Sequence, residues 1–192
     1  VRCDDYQGGY IAGKHLLELG HRHFLYLPGP KYNLSQTRRY AGIMDALSEA
    51  NVPASNIREI DYHTVFGSSA ESTSSYKPYE ELFFPVNYTA VIGFNDLQSY
   101  SAMEILQKKG YRIPEDISLI SFDHLRKTHT YLPPLTSIAD NSEKSIADTA
   151  VSILLDKIRN PSSEISSEVL PVSIFDDHTT GPINETFAHS FE

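Results

Sequence analysis

The side chains with most to offer a ligand are a basic pair, Arg38-Arg39, an amide, Asn95, and a carboxylate, Asp123. Arg38 and Arg39 follow Ser35, which reads as a helix N-cap, so both cations fall in the opening turn of that helix. A cation there opposes the helix dipole by roughly 0.3–1 kcal/mol. A guanidinium kept in spite of that can grip ligand oxygens, or a carboxylate across a cleft, through its fork of N–H donors. A solvated arginine pair with a surface partner is the alternative. Asn95 and Asp123 each come just after an apolar run. A carboxylate accepts, and an amide both accepts and donates, which together suit vicinal hydroxyls. Taken singly each is also an ordinary turn or helix cap, and Asp96 reads as a cap. Arg39, Asn95 and Asp123 at three loop mouths of one sheet would form a polar small-molecule site. Tyr62 and Phe122 would add stacking surface for a ring.

Other chemistries find less support. His21 and His23 are two apart and could share a strand face toward zinc, but no third ligand sits at a telling spacing. Asp176-Asp177-His178 reads as a solvated strand end. There is no Gly-x-Ser-x-Gly elbow, no Gly-x-Gly-x-x-Gly and no Gly-Lys-Ser/Thr phosphate loop. The single cysteine, Cys3, excludes an internal disulfide and a cysteine-based metal site. These observations argue for binding rather than turnover, without cofactor or metal; an enzyme using His124 or Asp123 as base has no motif behind it. The net charge of −9, with no basic run longer than two residues, repels phosphates. Contact with DNA would have to come from other residues. No stretch is long and apolar enough to span a membrane, and the scarcity of cysteine points to a cytoplasmic protein.

The elements that must position these groups follow from periodicity. Phe24–Leu27 is a strand stopped by Pro28-Gly29-Pro30, and the helix after Ser35 carries Tyr40, Ile43, Met44, Leu47 and Ala50 on one face. Ile57–Ile60, Thr89–Phe94, Ile117–Phe122 and Val169–Phe175 read as further strands. A helix from Leu97 to Lys109 ends at Gly110. Asp140 with Glu143 resembles a capping box for a helix bearing Ile146, Ala150, Ile153, Leu154 and Ile158. Alternating strands and helices predict an α/β fold, a parallel sheet flanked by helices, with ligands at the carboxyl ends of the strands. The helix from Leu97 is apolar on two sides, with Ala102, Ile105 and Leu106 on one and Leu97, Tyr100 and Met103 on the other. Such a helix is either deeply buried or half covered by a partner chain.

An ordered series of segments resembles the LacI/GalR family of transcriptional repressors. It runs through Asp4-Asp5-Tyr6-Gln7-Gly8-Gly9, Gly20-His21-Arg22, Arg38-Arg39-Tyr40-Ala41-Gly42 and Phe94-Asn95-Asp96. It continues through Ile113-Pro114-Glu115-Asp116, Ser121-Phe122-Asp123 and Pro133-Pro134-Leu135-Thr136, over about residues 1 to 180. The resemblance implies a periplasmic-binding-protein-like type I effector domain, one nearly complete lobe plus remnants of a second. Residues 1–19 and 140–168 would belong to the N-terminal lobe, 20–139 and 169–181 to the C-terminal lobe, and 182–192 to a tail. It implies that a helix-turn-helix head precedes Val1 and makes the operator contacts. Carried over by position, Arg39, Asn95 and Asp123 would hold the effector, a sugar or sugar phosphate, with Tyr62, Phe122 and Asp140 beside them. Leu97, Tyr100 and Met103 would contribute to a homodimer. Asp177 departs from the arginine usual in the family. A sugar-binding protein of a transport system would share the fold, and related repressors take purines.

Overall fold

The computed structural model of this chain describes residues 1–60, 79–143, 145–162, 164 and 167–188. In chain order it begins with strand β1 (Arg2–Cys3), helix α1 (Asp5–Glu18), strand β2 (Phe24–Leu27), helix α2 (Leu34–Glu49) and strand β3 (Ile57–Glu59). After a 3-10 turn at Tyr79–Phe83 come β4 (Ala90–Gly93), α3 (Asp96–Lys108), β5 (Ser118–Phe122) and β6 (Thr136–Asp140). Helix α4 (Ile146–Arg159), strands β7 (Val169–Leu170) and β8 (Val172–Phe175) and a last turn of helix, α5 (Glu185–Ala188), complete it.

Runs that are apolar at nearly every position become strands covered on both faces, and β2, β4 and β5 are buried throughout. The main sheet has the order β3-β2-β4-β5-β6-β8. It is parallel except at the edge, where β8 runs antiparallel to β6. Side chains alternate between its faces. Phe24, Tyr26, Ala90, Ile92 and Ile120 pack under α1 and α2 through Ala12, Leu16, Ile43 and Leu47. Leu25, Val91 and Leu119 pack on the other side against Ala102, Met103 and Leu106 of α3.

Helices α1 and α2 touch backbone to backbone. A Cβ at Gly9 would lie 1.9 Å from the carbonyl oxygen of Arg39, and one at Gly42 2.1 Å from that of Tyr6. Only glycine allows this approach.

The packing moves the expected boundaries. Helix α1 does not belong to a separate lobe: Ala12, Leu16 and Leu17 join the core over the main sheet. Only β1 pairs elsewhere, in a two-stranded parallel sheet with β7. The strand expected over 169–175 divides at Pro171, which has no N–H to give to a ladder, so β7 and β8 enter different sheets. The first part of the expected tail is tied down, because Ile183 N–H donates to Leu19 O at 2.8 Å and Phe187 packs edge-on to Tyr111. Two caps also differ. Asn33, not Ser35, caps α2, its side chain accepting from Gln36 N–H; Ser145, not Asp140, caps α4.

The end of the sheet away from the strand C-termini is closed by a buried imidazole. His21 is 2% exposed. Its Nδ1 lies 2.9 Å from Thr89 Oγ1 and its Nε2 2.9 Å from Ser118 Oγ and 3.0 Å from Gly181 O. One side chain thereby joins the starts of β2, β4 and β5 to the returning C-terminal segment. Burial holds its pKa down at about 4. The unfolded chain, with an ordinary imidazole near 6.5, takes up the proton first. Stability from His21 is therefore whole above pH 6.5 and lost as pH falls through 4, by about 3 kcal/mol. Unfolding free energies from urea titrations between pH 7 and 4 are expected to fall by that order, and His21→Gln to flatten much of the fall.

Candidate functional site

A cavity of about 260 Å³ opens at the carboxyl ends of β5 and β6, beside the start of α1. That is just under the roughly 300 Å³ at which small-molecule pockets usually begin. Of the expected residues, Arg39, Phe122, Asp123 and Asp140 line it together; Cys3, Asp4, Asp5 and Lys127 join them. Asn95 is not in its lining, and its side-chain oxygen accepts from Gln98 N–H at 3.0 Å as the N-cap of α3. Tyr62 lies outside the described residues.

Arg39 organises the cavity. Because α2 is capped at Asn33, Arg39 sits beyond the first turn and escapes most of the dipole penalty. Its Nε donates to Asp5 Oδ1 at 2.9 Å, its Nη1 to Phe94 O at 2.6 Å and its Nη2 to Asp123 Oδ1 at 3.2 Å. The guanidinium also lies against two rings, 5.1 Å from the centroid of Phe94 and 4.4 Å from that of Phe122. Arg39 is 11% and Asp5 6% exposed, whereas Asp123 is 43% exposed at the mouth.

Asp123 and His124 take positive φ, 97° and 49°. Non-glycine residues reach that region at a cost of about 1–3 kcal/mol, so the turn needs support. It comes from a residue whose role the sequence hid. Asp96, expected to be a cap, is buried and accepts from Leu125 N–H at 2.7 Å and Ser137 Oγ–H at 2.8 Å. Ser137 Oγ in turn accepts from His124 N–H at 2.9 Å, and the His124 ring stacks on Phe175. Burial pushes the Asp96 carboxyl up, while its hydrogen bonds from Leu125 and Ser137 oppose the shift. The only signal in the sequence was the doublet Asn95-Asp96, which offers one more cap than a helix needs.

Asp140 closes the far side. Its Oδ1 accepts from the backbone N–H and the hydroxyl of Ser142. The Cys3 thiol is pushed above its ordinary value by burial first, then by the charges of Asp140 and Asp5. On α3, Met103 is buried in the core, Tyr100 is half-buried with its hydroxyl donating to Pro133 O at 3.1 Å, and Leu97 is 66% exposed. Asp177 pairs with Arg126 at 2.9 Å.

A family model described as periplasmic binding protein-like domain matches residues 14–180. The HTH-type transcriptional repressor PurR of Mannheimia succiniciproducens is 33% identical over 156 residues, 81% of this chain and 45% of that protein. Its namesake in Escherichia coli O139:H28 is 35% identical over 170 residues, 86% of this chain and 47% of that protein. The chain thus spans about half the length of these relatives. Among solved structures, a LacI family transcriptional regulator from Enterococcus faecium with bound ribose aligns at TM-score 0.77 and 27% identity, over 95% of this chain and 65% of that one. A periplasmic binding protein/LacI transcriptional regulator from Alkaliphilus metalliredigens, complexed with D-xylulofuranose, aligns at 0.73 and 27%, over 93% and 64%. The type I fold expected from the resemblance is the fold observed.

The two carboxylates on Arg39 differ in what they cost when left alone. Arg39→Met strands the buried Asp5 and is expected to destabilise the protein by roughly 3 kcal/mol. Asp123→Asn, at an exposed ion pair, is expected to cost less than about 1 kcal/mol. Urea unfolding of both variants checks the order.

Proposed function

The chain belongs to the LacI/GalR family of transcriptional regulators, as a periplasmic-binding-protein-like effector domain, and on that footing we propose that it senses a small sugar for a repressor. The observation that carries the reading is the Arg39 cluster at the strand C-termini, with Asp123 and Asp140 presenting carboxylate oxygens into a sugar-sized cavity. Hydroxyls of a bound ring would donate to those oxygens, while Phe122 gives an apolar wall. Both aligned regulators named above hold sugars, ribose and D-xylulofuranose. A transport protein of the same fold is the second reading; the two sequence relatives, both repressors, favour the regulator.

In the whole regulator, ligand energy would bias the equilibrium between an open and a closed cleft and so alter operator affinity. The DNA contacts would come from a segment outside these residues, in keeping with the −9 charge. A homodimer would use the outer side of α3, where Leu97 is exposed. Met103, being buried, would support that face from below.

A thermal-shift panel of sugars, sugar phosphates and guanine on the full-length protein tests the function. A ligand at a hundred times its Kd adds about 2.7 kcal/mol to the native state. A rise in Tm with one sugar, abolished by Asp123→Ala, is expected; no rise with any sugar sinks the reading. Leu97→Glu is expected to shift the dimer toward monomer in sedimentation, without changing the Tm response per site.

A further inference from the structure

The lining of the cavity is unbalanced in charge. Asp4, Asp5, Asp123 and Asp140 face two cations, Arg39 and Lys127. Three of the five guanidinium N–H groups of Arg39 are already committed. Each of its three nitrogens already donates, to Asp5, the Phe94 carbonyl and Asp123, and its planar faces lie against the rings of Phe94 and Phe122. Lys127 sits at the exposed rim, at the end of the short turn after Asp123.

The start of α1 also borders the cavity, and a helix N-terminus favours anions. Here that end is already met by acids of its own. Asp4 Oδ1 accepts from Gln7 N–H at 3.1 Å, and Asp5 stands in the first turn. Asp5 is matched by Arg39. The second oxygens of Asp4, Asp123 and Asp140 accept no hydrogen bond from the described residues. What the cavity offers is a set of unfilled acceptors carrying negative charge.

We propose that this cavity sorts effectors by charge, taking a sugar-sized ligand with a protonated amine ahead of a neutral polyol and rejecting phosphate esters and carboxylic acids. The proposal rests on the sensor reading of the same site and narrows its ligand class. A phosphate group carries about −1.5 to −2 charges at neutral pH. Brought into this lining, it would meet three carboxylates against a guanidinium already shared with two acids and one exposed ammonium, that of Lys127. A cleft that excludes water strengthens that repulsion. An ammonium group instead fills the open acceptors with charge-assisted hydrogen bonds.

Cys3 allows a test that needs no knowledge of the effector. It is the single cysteine of the chain and lies in this lining. Two methanethiosulfonate reagents of similar size, one bearing a quaternary ammonium and one a sulfonate, report the potential at its thiol. The ratio of cationic to anionic modification rates at low salt is expected to exceed that of glutathione by roughly tenfold or more. It is expected to shrink in Asp123→Asn and Asp140→Asn, and at high salt. A ratio equal to or below that of glutathione overturns the proposal. So does calorimetry in which glucose 6-phosphate or ribose 5-phosphate binds as tightly as its parent sugar. The sensor reading stands or falls on stabilisation by a sugar, so each claim can fail without the other.

Discussion

One guanidinium joins the segments around the cavity. Arg39 reaches from α2 to the start of α1 through Asp5, to the end of β4 through the Phe94 carbonyl, and to the end of β5 through Asp123. A charge so nearly buried is tolerable only with its partners in place. The three segments are therefore held to a common geometry by the desolvation they would each suffer apart. The close contact of α1 with α2 sets the depth of that geometry. The carbonyl of Arg39 itself is the atom that a Cβ at Gly9 would strike, so the glycine fixes where the arginine's backbone sits. From there the side chain lies between the Phe94 and Phe122 rings.

A second buried charge does for the mouth what Arg39 does for the floor. The left-handed backbone at Asp123 and His124 turns the Asp123 carboxylate back toward Arg39. Asp96 holds that turn through Leu125 and, by way of Ser137, through His124. Since Asp96 opens α3, the helix with exposed Leu97, the outer face of α3 and the ligand-facing turn share one hydrogen-bonded anchor. A shift of α3 would pass to Asp123 through two hydrogen bonds and no flexible linker.

The architecture was largely readable from the sequence because the buried strands are continuous apolar runs and the helices between them are periodic. What escaped did so for identifiable reasons. Strand β6 reads Thr-Ser-Ile-Ala-Asp, and its Thr136 and Ser137 are buried by virtue of hydrogen bonds that hydropathy does not register. The place of α1 in the main core was obscured by Gly8, Gly9 and Gly13, which weaken a helical signal and are there for close packing. At the site, Arg39, Phe122, Asp123 and Asp140 line one cavity, and Asp140 is a strand end rather than a cap. Asn95 illustrates the limit of residue type alone, since the same amide suits a ligand or a helix end, and its side-chain oxygen here accepts from Gln98 N–H. Nothing in the sequence paired Asp5 with Arg39, because the two lie 34 residues apart.

The position of the cavity explains how a ligand in it could be felt beyond it. Three passages of the chain lie between the main sheet and the small β1–β7 pair, and Cys3-Asp4, Asp140 and Val172, which follows Leu170-Pro171, line the cavity there. They are stitched to one another, with Asp4 N–H donating to Leu170 O at 2.9 Å and Asn141 N–H to Pro171 O at 3.3 Å. Beyond them α4 leaves Val151, Leu154, Leu155 and Ile158 exposed. A ligand drawing on both Asp123 and Asp140 would act on the turn after β5 at one carboxylate and on the end of β6 at the other. Its binding energy would be divided between the main sheet and the point at which the chain leaves it. That division is what a sensor requires, since only contacts that differ between two arrangements can shift their populations.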